Sequence, residues 1–403
     1  MWVDVVMDLF TRVRCAMVPR RGRTRDPDAR PRILVIDELV PDPLFGAGFP
    51  RAHEIVRTLV DSGHQVDLYP MTSTPAERAR VTSLFDGAVR FHKGQGVRGL
   101  RRLLWRDGDA FDVLFVSRPT TMKKFMGIRW RPRDSSARPA VIYDAETVVV
   151  LREKIRRALY PPAMSDDAFE RELSEELDAV RGADAVTTVG PADADLLRTR
   201  LGVPTFVVPH AETVRVGAPG FAERRDLLFV GPLVGDPSES PNVDSVRYFV
   251  TEVMPRLDLL IGSDHRLRIA GLVDSAEVRA LESDRVVFEG VVEDLEPLYD
   301  SCRVFVAPTR FAAGIPLKVI GAMSEGVPSV VTRLLAVQLR ADDSTMASAD
   351  DADGFAQACA RLYSDPAAWE VIRDGGLAYV DRFCSPAAFT ESLADVLNQV
   401  SSR

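Results

Sequence analysis

The stretch Val304–Thr332, VFVAPTRFAAGIPLKVIGAMSEGVPSVVT, restricts the fold more than any other part of this chain. Val304 to Ala307 is a short apolar run of the kind buried in parallel sheets. Pro308 ends it, and Arg310 to Pro316 is a loop of mostly small residues. Pro316 suits the first turn of a helix, where a missing N–H costs nothing. Leu317, Ile320 and Met323 follow at helical spacing, Gly326 closes the helix, and Val330-Val331 begins another strand. A strand, small-residue loop and helix in this order offer backbone N–H groups and a positive dipole end to an anion. Arg310 stands at the start of the loop and Lys318 one turn into the helix. Two readings fit: a diphosphate cradle built on two cations, or solvated charges on an ordinary β-loop-α unit.

A second unit of the same type opens at Arg32. Ile33 to Asp37 reads as a buried strand, Pro41 to Pro50 as a loop containing Gly46 and Gly48, Arg51 to Ser62 as a helix, and Val66 to Tyr69 as the next strand. Strand, loop, helix, strand predicts a right-handed βαβ unit and a doubly wound sheet. Gly46 and Gly48 do not form a GxGxxG, and tight-turn glycines account for them as well as close approach to a ligand.

At 403 residues the chain has room for two such units, each with its own core. A net charge of −8 argues against a general nucleic-acid binder, which would carry a basic footprint, but local cations can still hold an anionic small molecule. Four cysteines, Cys15, Cys302, Cys359 and Cys384, lie far apart without metal-like spacing, so a reducing cytoplasm is expected. No apolar run reaches the roughly 20 residues that span a bilayer. Residues 1–31 differ in character. Trp2, Val5, Val6, Leu9 and Phe10 share one side of a short amphipathic helix, and Arg20 to Arg25 form a basic run. One reading is a weak contact of residues 1–25 with the inner membrane surface; the other is a flexible extension.

Further strands end at Ser117-Arg118-Pro119, Asp144-Ala145-Glu146, Val189-Gly190-Pro191 and Pro209-His210. Ligands of open parallel sheets sit beyond the carboxyl ends of the strands, which puts Arg118, Asp144, Glu146 and His210 in reach of a cleft. Arg118 and Asp144 could equally pair with each other or with nearby backbone. Glu146 could flank a helix start, and His210 could be a hinge histidine.

From about residue 214 a second domain is expected to run to 384, after a first domain of 32–213. The order DLLFVG, PNVDSVRYF, RLRIAG, VVFEGVVEDLEPLY, VFVAP, and the segment RFAAGIPLKVIGAMSEGVP at 310–328, resemble family 4 glycosyltransferases of GT-B fold. The resemblance covers roughly residues 32–400 and is densest over 226–332. It implies an α/β architecture of two Rossmann-like doubly wound domains facing across a cleft, with a last helix over 385–403 crossing back to the first domain. It further implies a nucleotide-diphosphate sugar as donor substrate, no cofactor and no metal, and a glycan, lipid or small-molecule hydroxyl as acceptor. On this resemblance Arg310, Lys318 and His210 serve the reaction. Gly48, Arg118, Gly231, Gly290, Val291, Val292, Gly314, Ile315, Pro316 and Leu317 line the donor, and Asp144 and Glu146 touch the sugar or acceptor. The implied reaction is transfer with retention at the anomeric carbon.

One departure stands out. The family often carries two glutamates eight positions apart in the cradle segment, and the matching positions here are Ala313 and Gly321. Glu325 lies one helical turn beyond and is not taken as a replacement. A catalytically impaired GT-B protein that binds nucleotide-sugar or glycan, or acts as a partner subunit, is the alternative. A nucleotide-sugar epimerase would need paired carboxylates and a histidine, for which Asp144, Glu146 and His210 are the residues in place.

Overall fold

The computed structural model describes residues 30–401 apart from 46–47, 131 and 133–137. The amphipathic and basic readings of residues 1–25 and the reading of Gly46 lie outside the described residues.

The first sheet has seven parallel strands: β1 (Arg32–Asp37), β2 (Gln65–Pro70), β3 (Val89–Phe91), β4 (Val113–Ser117), β5 (Ala140–Glu146), β6 (Ala185–Thr188) and β7 (Thr205–Val207). Their order is β3-β2-β1-β4-β5-β6-β7. The chain winds outward from β1 in one direction and resumes at β4 in the other, so the sheet has its switch point between β1 and β4. The strands read as near-continuous apolar runs because both faces are covered: Leu34, Ile36, Leu114 and Val116 enter one core, and Ile33, Val35, Val113 and Phe115 the other.

The second half repeats the plan. β8 (Asp226–Val230) is followed by the two-residue β9 (Leu233–Val234), then β10 (Leu267–Ala270), β11 (Val273–Asp274), β12 (Val286–Gly290), β13 (Cys302–Ala307), β14 (Ser329–Thr332) and β15 (Ala347–Ala349). Six of them form a parallel sheet in the order β12-β10-β8-β13-β14-β15, while β9 and β11 pair with each other. The switch point here falls between β8 and β13. Strand β13 starts two residues earlier than the apolar run implied, because Cys302 is fully buried and packs as a small apolar side chain.

The last two helices tie the halves together. The helix Pro386–Ser401 places Phe389, Leu393, Val396, Leu397 and Val400 at helical spacing into the same core as Ile33, Val35 and Ile55 of the first sheet. The preceding helix, Pro366–Phe383, instead buries Ile372 in a second-domain core and bonds the buried Trp369 to Arg303 O, so the chain crosses over at about Cys384. The segment 217–225, which leads from the first domain into β8, is firmly held. Arg224 is fully buried, and its guanidinium donates to the carbonyls of Pro219, Tyr299, Cys302 and Glu325.

Candidate active site

The loop after β13 is anchored by Phe311, which is fully buried. Gly314 has φ +75°, which favours glycine, and a Cβ there would press on Val189 Cγ2 at 3.3 Å. A Cβ on Gly190 would lie 2.9 Å from Ile315 Cγ2. The cradle loop therefore packs directly on the first-domain turn at Val189-Gly190. Pro316 caps the eight-residue helix Leu317–Ser324 instead of occupying its first turn. The amides of Leu317 and Val319 already bond Ile315 O and Pro316 O at 3.1 and 2.9 Å. The expectation of several free amides at this helix start is thus corrected: a tight turn satisfies part of them.

Nor are the two cations free. Arg310 Nε donates to Asp244 Oδ2 at 3.0 Å and Nη2 donates to Asp244 Oδ1, a bidentate pair with a fully buried carboxylate. Tyr160, from the first domain, donates its hydroxyl to Asp244 Oδ1 and packs edge-on against Phe311. Burial, then the bond to Asp244, pushes the Tyr160 phenol up to about 12. Lys318 donates to Asn242 Oδ1 and sits 4.2 Å above the Phe229 ring. Among the described residues no carboxylate pairs with it, and burial pulls its ammonium down to about 7.

Asn242 and Asp244 belong to the first turn of the helix Pro241–Tyr248, whose Ser240 cap accepts from Val243 N. Ser245 Oγ reaches Thr309 Oγ1 at 3.1 Å, joining that turn to the end of β13. Beside it the carboxyl ends of β8, β10 and β12 finish in Gly231, Gly271 and Gly290, all at positive φ. A Cβ on Gly271 would lie 2.3 Å from Gly231 O, and one on Gly231 2.8 Å from Asn242 Nδ2. The result is a floor of bare backbone next to two cations. Val291 beyond it is 74% exposed, while Val292 is half-buried. Gly321 faces Tyr299 Oη, 3.5 Å from where a Cβ would stand. Glu325 is turned away into an ion pair with Arg215 at 2.7 Å.

Across from this floor, the first domain gathers carboxylates. Asp37, at the end of β1, accepts from Glu38 N and from Arg118 Nε at 2.9 Å. Its burial raises it to about 7, against the opposing pull of the Arg118 guanidinium. Arg118 follows β4 with φ +75°, stacks on Phe49 at 4.1 Å, and lies 3.6 Å from Glu146 Oε1. Glu146, itself at φ +58°, rests on Gly48: a Cβ there would be 2.3 Å from Oε1. Burial, and then the charge of Asp144, raises the Glu146 carboxyl. Two non-glycine residues in the left-handed region side by side is the kind of backbone strain that collects at functional positions.

Asp144 is not paired with the Arg118 side chain. It takes Arg51 bidentately at 2.7 and 3.0 Å and Thr187 Oγ1 at 2.6 Å, and all three are buried. His210 is buried beside Arg51; burial, then that cation, pulls the imidazole down to about 3, so it is neutral at ordinary pH. A proton-donating role for His210 at neutral pH does not fit this environment.

Arg310, Lys318 and Gly231 converge on one patch, and Gly48, Arg118 and Glu146 on another. Asp144 and His210 lie beneath the second patch as its support. Sequence reasoning missed Asn242, Asp244, Tyr160, Asp37, Arg51 and Gly271. Only Asn242 and Asp244 gave a signal, as polar residues in the first turn of a proline-led helix. Among the described residues no group of three or more His, Cys, Asp or Glu could hold a metal ion. In the run Asp350-Asp351-Ala352-Asp353, Asp351 accepts from Gly354 N and Asp353 pairs with Arg256. No helix among the described residues is long and apolar enough to cross a membrane.

Residues 224–365 match the family model described as "Glycosyl transferases group 1". Among solved structures, HepE of Anabaena, crystallised with UDP and glucose, shares 12% identity over 91% of this chain and 99% of its own, with a TM-score of 0.63. TarM of S. aureus shares 8% over 93% and 100%, at 0.68. A glycosyltransferase of Rickettsia africae shares 10% over 93% and 99%, at 0.63. No curated protein matches the sequence. At these identities the likeness is one of fold, and the fold is that of the GT-B glycosyltransferases.

Proposed function

We propose that this chain is a retaining glycosyltransferase that moves a sugar from a nucleotide-diphosphate donor to an acceptor hydroxyl. The observation that carries this reading is the meeting of Arg310, Lys318 and the glycine floor Gly231-Gly271-Gly290 inside the segment that matches the group 1 model. Bare backbone admits a nucleotide closely, and the cations meet the charge that grows on a leaving diphosphate. The anomeric C–O bond to the diphosphate breaks with its electron pair going to the phosphate oxygen. The acceptor oxygen bonds the anomeric carbon from the same face, and its proton passes to the departing phosphate. Gly314 to Leu317 border the diphosphate, Val291 and Val292 the base, and Gly48, Arg118 and Glu146 face the sugar from the first domain. His210 is a buried support in this reading. The reaction calls on protein cations and not on a metal.

A specific observation keeps a second reading in view. Gly321 supplies no carboxylate, and Asp244 already occupies Arg310. A GT-B protein that binds its nucleotide-sugar without turning it over would look the same. Calorimetry with UDP, GDP and ADP, and product analysis with the corresponding glucose donors, separates the two. Binding with sugar release or transfer supports the enzyme, and binding without turnover supports the alternative. Absence of any nucleotide binding removes both.

A further inference from the structure

Charge is distributed unevenly along this acidic chain. Between residues 90 and 130 stand ten lysines and arginines against three aspartates and no glutamate, whereas the whole chain carries −8. Folding collects these cations on one face. The helix Gly96–Asp107 turns Leu100, Leu103 and Leu104 into the core and leaves Arg98, Arg102 and Arg106 exposed at i, i+4 and i+8. The helix Pro119–Met126 and the turn after it expose Lys123, Lys124 and Arg129. Both segments cover the same core, which joins Leu103 and Leu104 to Met122, Ile128 and Trp130. They also touch, because a Cβ on Gly108 would lie 2.5 Å from Trp130 Cζ2.

Nearby acids neutralise little of this. Asp107 pairs with Arg106, Glu38 with Lys124, and Asp112 accepts the backbone N–H of Arg32. On the neighbouring acidic helix Asp166–Leu177, Asp166, Glu170 and Glu172 pair with Lys154, Arg200 and Arg157. Arg98, Lys123 and Arg129 make no ion pair among the described residues, and Arg102 meets only the neutral Gln95 amide. Among the cations, Val97 and Met126 are exposed at 39% and 46%.

We infer that this face docks on an anionic membrane surface, independently of the reaction the cleft performs. Lysines and arginines on a helix face are each attracted by acidic headgroups, while Val97 and Met126 are apolar enough to enter the headgroup layer. The acidic remainder of the protein would be repelled and so orient this side toward the lipid. A nucleic acid strand is the less suited occupant, since strands bind on exposed aromatic platforms, and the aromatic residues here, Trp105, Phe125 and Trp130, are half-buried. The helix Pro119–Met126 starts at Arg118, so a docked membrane would lie beside the cleft mouth.

The test uses the full chain and sedimentation with phosphatidylcholine vesicles, pure or containing about one third phosphatidylglycerol. Binding to the acidic vesicles alone, weakening by about tenfold or more between roughly 0.1 M and 0.5 M salt, is expected. The triple reversal Arg98→Glu, Arg102→Glu, Lys123→Glu should lower the partition coefficient at least about tenfold. Reversal of Arg266, Arg361 and Arg382 in the second domain changes total charge equally and should leave binding within about twofold. Should the first variant fail to fold, the glutamine triple at the same positions should give a smaller loss in the same direction. Equal losses from the two reversals, or no loss from either, would overturn the proposal, the latter by moving the contact to residues 1–29. Equal binding to neutral vesicles, or binding of heparin without binding of vesicles, would overturn it as well.

Discussion

The two domains present the same sheet edge with opposite chemistry. Each is a doubly wound parallel sheet with its switch point beside the central strand, β1 in one and β8 in the other. In the second domain the strand ends are bare glycines flanked by Arg310 and Lys318, held by Asp244 and Asn242. In the first domain they carry Asp37, Asp144 and Glu146, held by Arg51 and Arg118. Topology fixes where a ligand can sit, and the side chains at the strand ends decide which charge it bears. One edge is cationic and the other acidic, and the line between them runs where Tyr160 meets Asp244 and Ile315 meets Gly190.

The strongest challenge to this contrast lies beneath the first-domain edge. Arg51→Ala leaves Asp144 buried without its cation, and unfolding by urea should show a loss of about 3–5 kcal/mol. A loss below about 1 kcal/mol would mean that the pair is not the support described. Next, Arg310→Ala should weaken nucleotide binding by at least about 1.5–3 kcal/mol in calorimetry, and it should also lower stability, because it leaves the fully buried Asp244 without its cation. Unchanged affinity would remove the phosphate from that edge.

The pH dependence sharpens the comparison further. Lys318 titrates near 7 in the free protein, and a bound phosphate would keep it charged. Free protein therefore loses a proton above pH 7 that the complex retains. Nucleotide affinity should then fall by up to about tenfold per pH unit above 7, or about 1.4 kcal/mol, and level off below it. Lys318→Met should flatten the profile; a wild-type profile flat from pH 6 to 9 would contradict the assignment. The smallest effect is expected at the seam. Tyr160→Phe removes one hydrogen bond to a buried carboxylate and should lower stability by about 0.5–1.5 kcal/mol, read as a shift of the thermal midpoint.

How much of this could be read in advance varies by region. The strand-loop-helix-strand grammar of 304–332 was legible because a buried parallel strand must be apolar throughout and Gly326 must take the left-handed turn after the helix; the structure has it at φ +65°. Arg310 and Lys318 were legible as cations beside a loop. Their partners were not: Asp244 is 66 residues away in sequence from Arg310, and Tyr160 is 150 away. Glu146 reads as an acid near a helix start, yet nothing local reveals that it rests on Gly48, nearly one hundred residues earlier.

By itself, then, the sequence determined the two parallel sheets and the polar residues that end their strands, since periodicity, proline and glycine act on backbone within a few residues. Only the tertiary structure decided that Arg310 is shared with Asp244, that His210 is a buried neutral support, and that Asp37 and Lys318 titrate near 7. Those properties come from desolvation and from charges brought together by the crossing of distant loops. Neither has a signature in the neighbouring residues, because the dielectric around a side chain is set by whatever folds over it.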